Sequence, residues 1–269
     1  MKTLIKNGFI VTKDNELNQV DVWIEEGKIK GLGRFSTEAI AFDEVIDAKS
    51  GLITPGLVDV HVHFREPGFE YKETIETGSA SAAKGGFTTV CAMPNLKPVP
   101  DNKEVLEDIQ SRIKKDSKIK ILQYASITKD LNTEELVNFK ELKEAGAFAF
   151  TNDGVGVQTA GAMYLAMKEA AAVNMSIVAH TEDESLLFGG VMHKGKVSEK
   201  LGLPGIMSAT ESSQIARDVL LAKETGVHYH VCHVSTKESV EIIRQAKKNG
   251  INVTCEVCPH HLIMNEEHI

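Results

Sequence analysis

The stretch Gly56-Leu57-Val58-Asp59-Val60-His61-Val62-His63-Phe64-Arg65 constrains this chain more than any other. An apolar, β-branched run halts on two histidines spaced two apart, and that spacing puts both rings on one face of a strand. Val58, Val60, Val62 and Phe64 hold the opposite parity, so the run reads as a strand buried on both faces, as in parallel sheets. Two imidazoles side by side in such a place are costly unless something satisfies them. Neutral imidazole is the common nitrogen ligand of zinc, and two on one strand face can hold one ion. The alternative is a hydrogen-bonded pair of core histidines. Arg65, just beyond, adds a guanidinium to the same strand end and favours a pocket for a metal and an anion.

The 269 residues suffice for one large domain or a domain with a small appendage. A net charge of -8, with no Lys/Arg run, argues against a nucleic-acid or anionic-membrane surface and leaves a small molecule as the expected partner. The start, MKTLIKNGFIVTKDNE, lacks an apolar core followed by a cleavage site, and no run approaches the roughly 20 apolar residues a bilayer needs. A cytoplasmic protein is expected. Cys91 and Cys232 lie in apolar runs and read as free buried thiols of a reducing compartment. Cys255 and Cys258 form a lone Cys-x-x-Cys without the second half that a zinc knuckle needs.

Residues 1–54 read as short strands with turns: Asn7-Gly8 and Glu26-Gly27 are hairpin signals, and Val20, Val22 and Ile24 alternate with polar residues. This small β module is too slight to bury a core alone. From residue 55 the texture changes to apolar runs alternating with helical stretches, which predicts βαβ units and a parallel sheet over 55–269. Strands are expected at 57–63, 87–93, 119–125, 147–152, 175–180, 228–233 and 251–257. Capping boxes are expected at Asp101/Glu104, Asn132/Glu135, Ser208/Glu211 and Ser235/Glu238, with helix ends at Gly85-Gly86, Gly146, Gly226 and Gly250. Seven strands with right-handed crossovers leave an open doubly wound sheet or a nearly complete eight-stranded barrel. The first strand ends in His-Val-His rather than a Gly-rich phosphate loop, and polar residues gather at the strand C-termini, which favours the barrel. Residues 182–210 read as an excursion at the site mouth.

The strand ends supply His61, His63 and Arg65, then Asn95, Asp153, His180 and His233. Four histidines and a carboxylate at one register suffice for two metal ions if Asp153 bridges them. Asp153 precedes Gly154 and could instead be a turn residue, and Asn95 could cap its own loop. His193, His228, His230, His260, His261 and His268 sit in loops or at the wrong register and read as structural or surface residues.

The strings DVHVHFREPG (59–68), KGGFTTVCAMPN (84–95), GAFAFTNDGVGVQ (146–158), IVAHTED (177–183), HYHVCHVST (228–236) and EVCPHHL (256–262) resemble the amidohydrolase superfamily, and within it the bacterial type I dihydroorotases. The resemblance implies a TIM-type (β/α)8 barrel of the metallo-dependent hydrolase type, here ending after about strand 7, with a small N-terminal β-sandwich-like module. It implies two zinc ions per subunit held by the residues matching His61, His63, His180 and His233 and bridged by that matching Asp153. His63, Arg65 and Asn95 match substrate-binding positions, the last two holding the substrate's carboxylate. The implied reaction is reversible hydrolysis of dihydroorotate to N-carbamoyl-aspartate in pyrimidine synthesis, by a homodimer that can associate with aspartate transcarbamoylase. Hydantoinases and allantoinases share the His-x-His strand but usually bridge their metals with a carboxylated lysine. No lysine lies between Lys143 and Lys168, so Asp153 must serve. The family continues to an eighth strand whose aspartate binds a metal and shuttles the proton. This sequence stops at Ile269, so the expectation is a piece of a longer enzyme whose catalytic aspartate lies beyond it. Asn152 and Cys258 stand where relatives often carry aspartate and threonine. The competing readings are another cyclic amidase and a non-catalytic assembly partner.

Overall fold

The computed structural model describes residues 1–268, which divide into two compact units, Met1–Gly56 and the remainder from Leu57. In the first, β1 (Lys2–Val11), β2 (Leu17–Glu25), β3 (Lys28–Gly33) and β4 (Glu44–Asp47) form one sheet of order β3-β2-β1-β4. Glu26 and Gly27 take positive φ, 51° and 73°, and close the expected β2–β3 hairpin. Asn7-Gly8 does not turn the chain. It lies inside β1, where Asn7 has φ 59° and the register against β2 shifts between Ile5 and Gly8, so the same dipeptide makes a bulge. Leu4, Val20 and Val22 are buried, and Trp23 meets Phe35 and Phe42 edge-on at 5.5 and 5.6 Å.

The second unit alternates strands and helices: β5 (Leu57–Val62), α1 (Ile75–Lys84), β6 (Phe87–Ala92), α2 (Lys103–Asp116), β7 (Lys120–Gln123), α3 (Phe139–Glu144), α4 (Ala160–Ala172) and β8 (Ile177–Ala179). There follow β9 (Met192–His193), α5 (Lys196–Leu201), β10 (Gly205–Ile206), α6 (Ser208–Thr225), β11 (Tyr229–Val231), α7 (Lys237–Lys248), β12 (Val253–Cys255) and α8 (Pro259–Ile263). Two parallel sheets, β5-β6-β7 and β12-β11-β8, are joined through Phe150, which bridges Ala125 on one side and Ile177 on the other. The order is that of the chain, as in a barrel wall. The strand expected at 147–152 is reduced to a short segment, residues 148–151, whose backbone hydrogen bonds reach Gln123 and Ala125 on one side and Ser176 and Val178 on the other, with Phe150 fully buried there.

The helices form for local reasons. In α2 the Asn102 side chain accepts from the Val105 N–H, Leu106 and Ile109 share the buried face, and Lys114 and Lys115 close the last turn. In α4, Met163, Ala166, Met167 and Ala170 recur at helical spacing and are buried. The expected capping boxes are displaced: Asn102 rather than Asp101 caps α2, Thr236 rather than Ser235 caps α7, Asn138 caps α3, and Met207 precedes α6 without a side-chain cap. Thr74 and Thr77 make a reciprocal box on α1 instead. The glycine stops hold, with Gly226 left-handed at φ 72° after α6.

Burial is uneven across the wall. Ile177, Tyr229 and Val231 are fully buried in one large apolar cluster with α4 and α6 residues. Leu57 and Val58 are 50% and 60% exposed, so the run expected to be buried on both faces is not. The reason is topological: among the described residues β5 pairs only with β6 and is a sheet edge, as β12 is at the other end. None of the described helices is long and apolar enough to cross a membrane.

Candidate metal centre

Parallel strands bring their C-terminal ends to one rim, and the polar residues of the sequence gather there. His61 is on β5, and His63 stands one residue past its end. Asn95 follows β6, Asp153 follows Phe150, His180 is the residue after β8, and His233 lies two past β11. Arg65 and His233 have positive φ, 60° and 34°, uncommon conformations for residues with side chains, at the ends of β5 and β11.

Asp153, 4% exposed, is the hub. Its Oδ1 lies 3.4 Å from His61 Nε2, 3.5 Å from His180 Nδ1 and 3.7 Å from His233 Nε2, while Oδ2 lies 3.5 Å from His63 Nε2. Ligand atoms about 2.0–2.2 Å from one tetrahedral ion stand roughly 3.3–3.6 Å apart, so these separations suit donors arranged around metals bridged by one carboxylate. Between His180 Nδ1 and His233 Nε2 the distance is 3.0 Å. Among the described residues, the groups of three donors lying within 4.8 Å of one another are His61-Asp153-His233 and His61-Cys232-Glu256.

On His61 and His63 the second ring nitrogen is committed, which aims the other lone pair. His63 Nδ1 meets Asn95 Oδ1 at 2.9 Å, and Asn95 Nδ2 donates to Asp153 Oδ2 at 3.1 Å, so one amide braces both residues. A weaker 3.4 Å contact runs from Asn95 Nδ2 to the Asp153 carbonyl. His61 Nδ1 meets Glu256 Oε1 at 2.6 Å. Glu256, missed by the sequence reading, sits one residue past β12 at the same strand-end register as the histidines; that register was the available signal. His230 was set aside, yet it contacts Glu256 Oε2 at 3.2 Å.

The electrostatics of the cluster are those of carboxylates held ionised among imidazoles. Burial works against a charged His61, but the Asp153 and Glu256 carboxylates outweigh it and push its pKa up to about 9. Burial holds His63 below its ordinary value, aided by Arg65. Burial also opposes ionisation of Asp153, yet His180, His233 and His61 keep its carboxyl far below the usual range. Glu256 is brought down to about 2 against its burial by His230 and His61. A metal bound here would displace a proton from His61.

Two cavities open on more than one of these histidines. One, of about 340 Å³, is lined by His180, His233, His193, Met207 and Glu211, so the excursion after β8 does flank the mouth. The other, of about 550 Å³, is lined by His61, His63, Glu256 and Cys258. Glu211 does not cap α6. Its carboxylate accepts from the Ser235 and Thr236 backbone N–H groups at 3.0 and 3.1 Å and pins the loop after His233.

An α/β barrel wall with histidines and an aspartate on its C-terminal rim defines the amidohydrolase class, and solved hydantoinases share this fold. L-Hydantoinase (dihydropyrimidinase) from Arthrobacter aurescens matches with a TM-score of 0.83 and 25% identity, covering 98% of this chain and 60% of that one. A D-hydantoinase matches with a TM-score of 0.79 and 26% identity, covering 100% of this chain and 60% of that one. A family model described as dihydro-orotase-like matches residues 50–239, and the chain belongs to that family. Curated relatives agree. The dihydroorotase of Enterococcus faecalis is 70% identical over 100% of this chain and 63% of its own length. That of Ligilactobacillus salivarius is 64% identical over 98% of this chain and 62% of its own length. The chain thus spans a little under two thirds of these relatives.

Proposed function

We propose that the chain carries the two-metal centre of a zinc-dependent dihydroorotase, which reversibly hydrolyses the cyclic amide of dihydroorotate to N-carbamoyl-aspartate. The carrying observation is four histidine nitrogens within 3.4–3.7 Å of one buried carboxylate. His61 and His63 would hold one ion, His180 and His233 the other, with Asp153 between them. Bound there, zinc supplies a water acidified toward neutral pH and a Lewis acid for the ring carbonyl.

The protein's own groups orient the ring. Arg65 offers a bidentate fork for the substrate carboxylate. Asn95 can redirect the amide hydrogen that now makes its long 3.4 Å contact to the Asp153 carbonyl. The chain spans a little under two thirds of the curated relatives, so turnover is assigned to the full-length enzyme. A homodimer and association with aspartate transcarbamoylase rest on the resemblance alone.

The hydantoinase-like fold suggests a second reading, a cyclic amidase acting on rings without a carboxylate. The deciding comparison is Arg65→Ala in the full-length enzyme, assayed on dihydroorotate and on a dihydropyrimidine lacking the carboxylate. The kcat/KM for dihydroorotate should fall about a hundredfold further than that for the unsubstituted ring, the scale of a lost charge-assisted bidentate contact. Equal losses on both would overturn the substrate assignment.

A further inference from the structure

β11 and β12 pair in parallel with His230 beside Thr254. On each strand every second residue faces the same way. Val231 and Val253 turn into the apolar cluster. The other parity carries His228 and His230 on one strand, Thr254 and Glu256 on the next. These side chains form an unbroken series of contacts: Ser176 Oγ to His228 Nδ1 at 2.7 Å, His228 Nε2 to Thr254 Oγ1 at 2.8 Å, Thr254 Oγ1 to His230 Nδ1 at 2.7 Å, His230 Nε2 to Glu256 Oε2 at 3.2 Å, and Glu256 Oε1 to His61 Nδ1 at 2.6 Å. None of the histidines in the series except His61 belongs to the metal-ligand set.

A carboxylate can only accept, and a hydroxyl donates once. One proton assignment therefore satisfies every contact with neutral His228 and His230. Glu256 takes the Nδ1 proton of His61 and the Nε2 proton of His230. His230 Nδ1 is then an acceptor for the Thr254 hydroxyl, whose oxygen accepts from His228 Nε2–H, while His228 Nδ1 accepts from the Ser176 hydroxyl. All donors point toward Glu256.

We propose that Glu256 is a positioning residue for His61, and that Ser176, His228, Thr254 and His230 form a one-way hydrogen-bond relay that orients its carboxylate. Resting on the reading of His61 as a metal ligand, the relay keeps the proton of His61 on Nδ1 and leaves Nε2 free to face Asp153. Five residues beneath the rim thereby belong to the centre.

The test follows histidine tautomers by 15N NMR at pH 8 and zinc affinity by competition with a chelator, both on the intact protein. In the wild type, His228 and His230 should each carry their proton on Nε2. Glutamine offers one acceptor and one donor, so in Glu256→Gln, with the oxygen still serving His61, His230 must move its proton to Nδ1. Thr254 then passes the reversal to His228. In the Glu256→Gln/Thr254→Val double variant His230 should switch and His228 should not. Glu256→Ala should weaken zinc binding by about 10- to 100-fold. Unswitched rings in Glu256→Gln, a cationic His230 in the wild type, or unchanged zinc affinity in Glu256→Ala would overturn the proposal. Variant rings that switch as described, in a protein whose wild type binds no zinc, would instead defeat the metal reading on which its purpose rests.

Discussion

Asp153 and Asp218 are both buried carboxylates, 4% and 0% exposed, and their surroundings push them in opposite directions. Asp218, on α6 beneath β11, takes Arg217 Nε–H at 2.7 Å and Tyr229 O–H at 2.9 Å. Burial nonetheless prevails there, and its pKa rises to about 6. At Asp153 burial loses to the converging histidines and the carboxyl is held ionised. Burial alone favours neutral acids; a rim that keeps one charged amid four imidazoles has the electrostatics that a cation site needs. Arg217 also donates to the Val157 and Gln158 carbonyls, so the Asp218 region braces the loop that follows Asp153.

The sharpest way to break this contrast is to remove each carboxylate in turn. Asp153→Ala should weaken zinc binding by about a hundredfold or more, since a shared ligand is lost. Asp218→Asn should leave zinc affinity within about twofold, because no ligand is touched. Equal effects in a chelator competition would mean that Asp153 is only a buried turn residue. The next effect is on stability against pH. Asp218 has a folded pKa near 6 against roughly 3.9 when unfolded, so between those values the folded protein holds a proton that the unfolded chain has lost. Stability from this group is full below about pH 4 and is lost as pH rises through 6, an effect of order 2–3 kcal/mol. Asp153 has the opposite sign, its contribution present above about pH 4 and lost as pH falls. Denaturant titrations from pH 4 to 7 should show the downward slope in the wild type and its disappearance in Asp218→Asn. The smallest expected change is Tyr229→Phe, which strips one donor from Asp218 and should cost about 1–3 kcal/mol in the same titrations at pH 7, with zinc binding unaffected.

Much of this was legible in the chain. Strand positions and the ligand register followed from apolar runs ending in His61, His180 and His233, because parallel strands deliver their C-termini to one rim. The fourth strand is shorter than read: around the Phe150 bridge, residues 148–151 exchange backbone hydrogen bonds with Gln123, Ala125, Ser176 and Val178. Helix starts slipped by a residue or more because neighbouring side chains compete for the same orphan N–H groups: Asn102 took the role read for Asp101, and Asp101 instead accepts from the Asp130 backbone N–H at 3.0 Å. Glu256 and His230 were passed over because their meaning lies in a cross-strand partner, His61, 195 residues from Glu256 in sequence.

The most direct test of the central claim is a calorimetric zinc titration of the intact, metal-stripped protein in two buffers of different ionisation enthalpy. The account predicts about two zinc ions per chain, with protons released as His61 yields to the metal. No zinc uptake, or a stoichiometry that Asp153→Ala leaves unchanged, would contradict it.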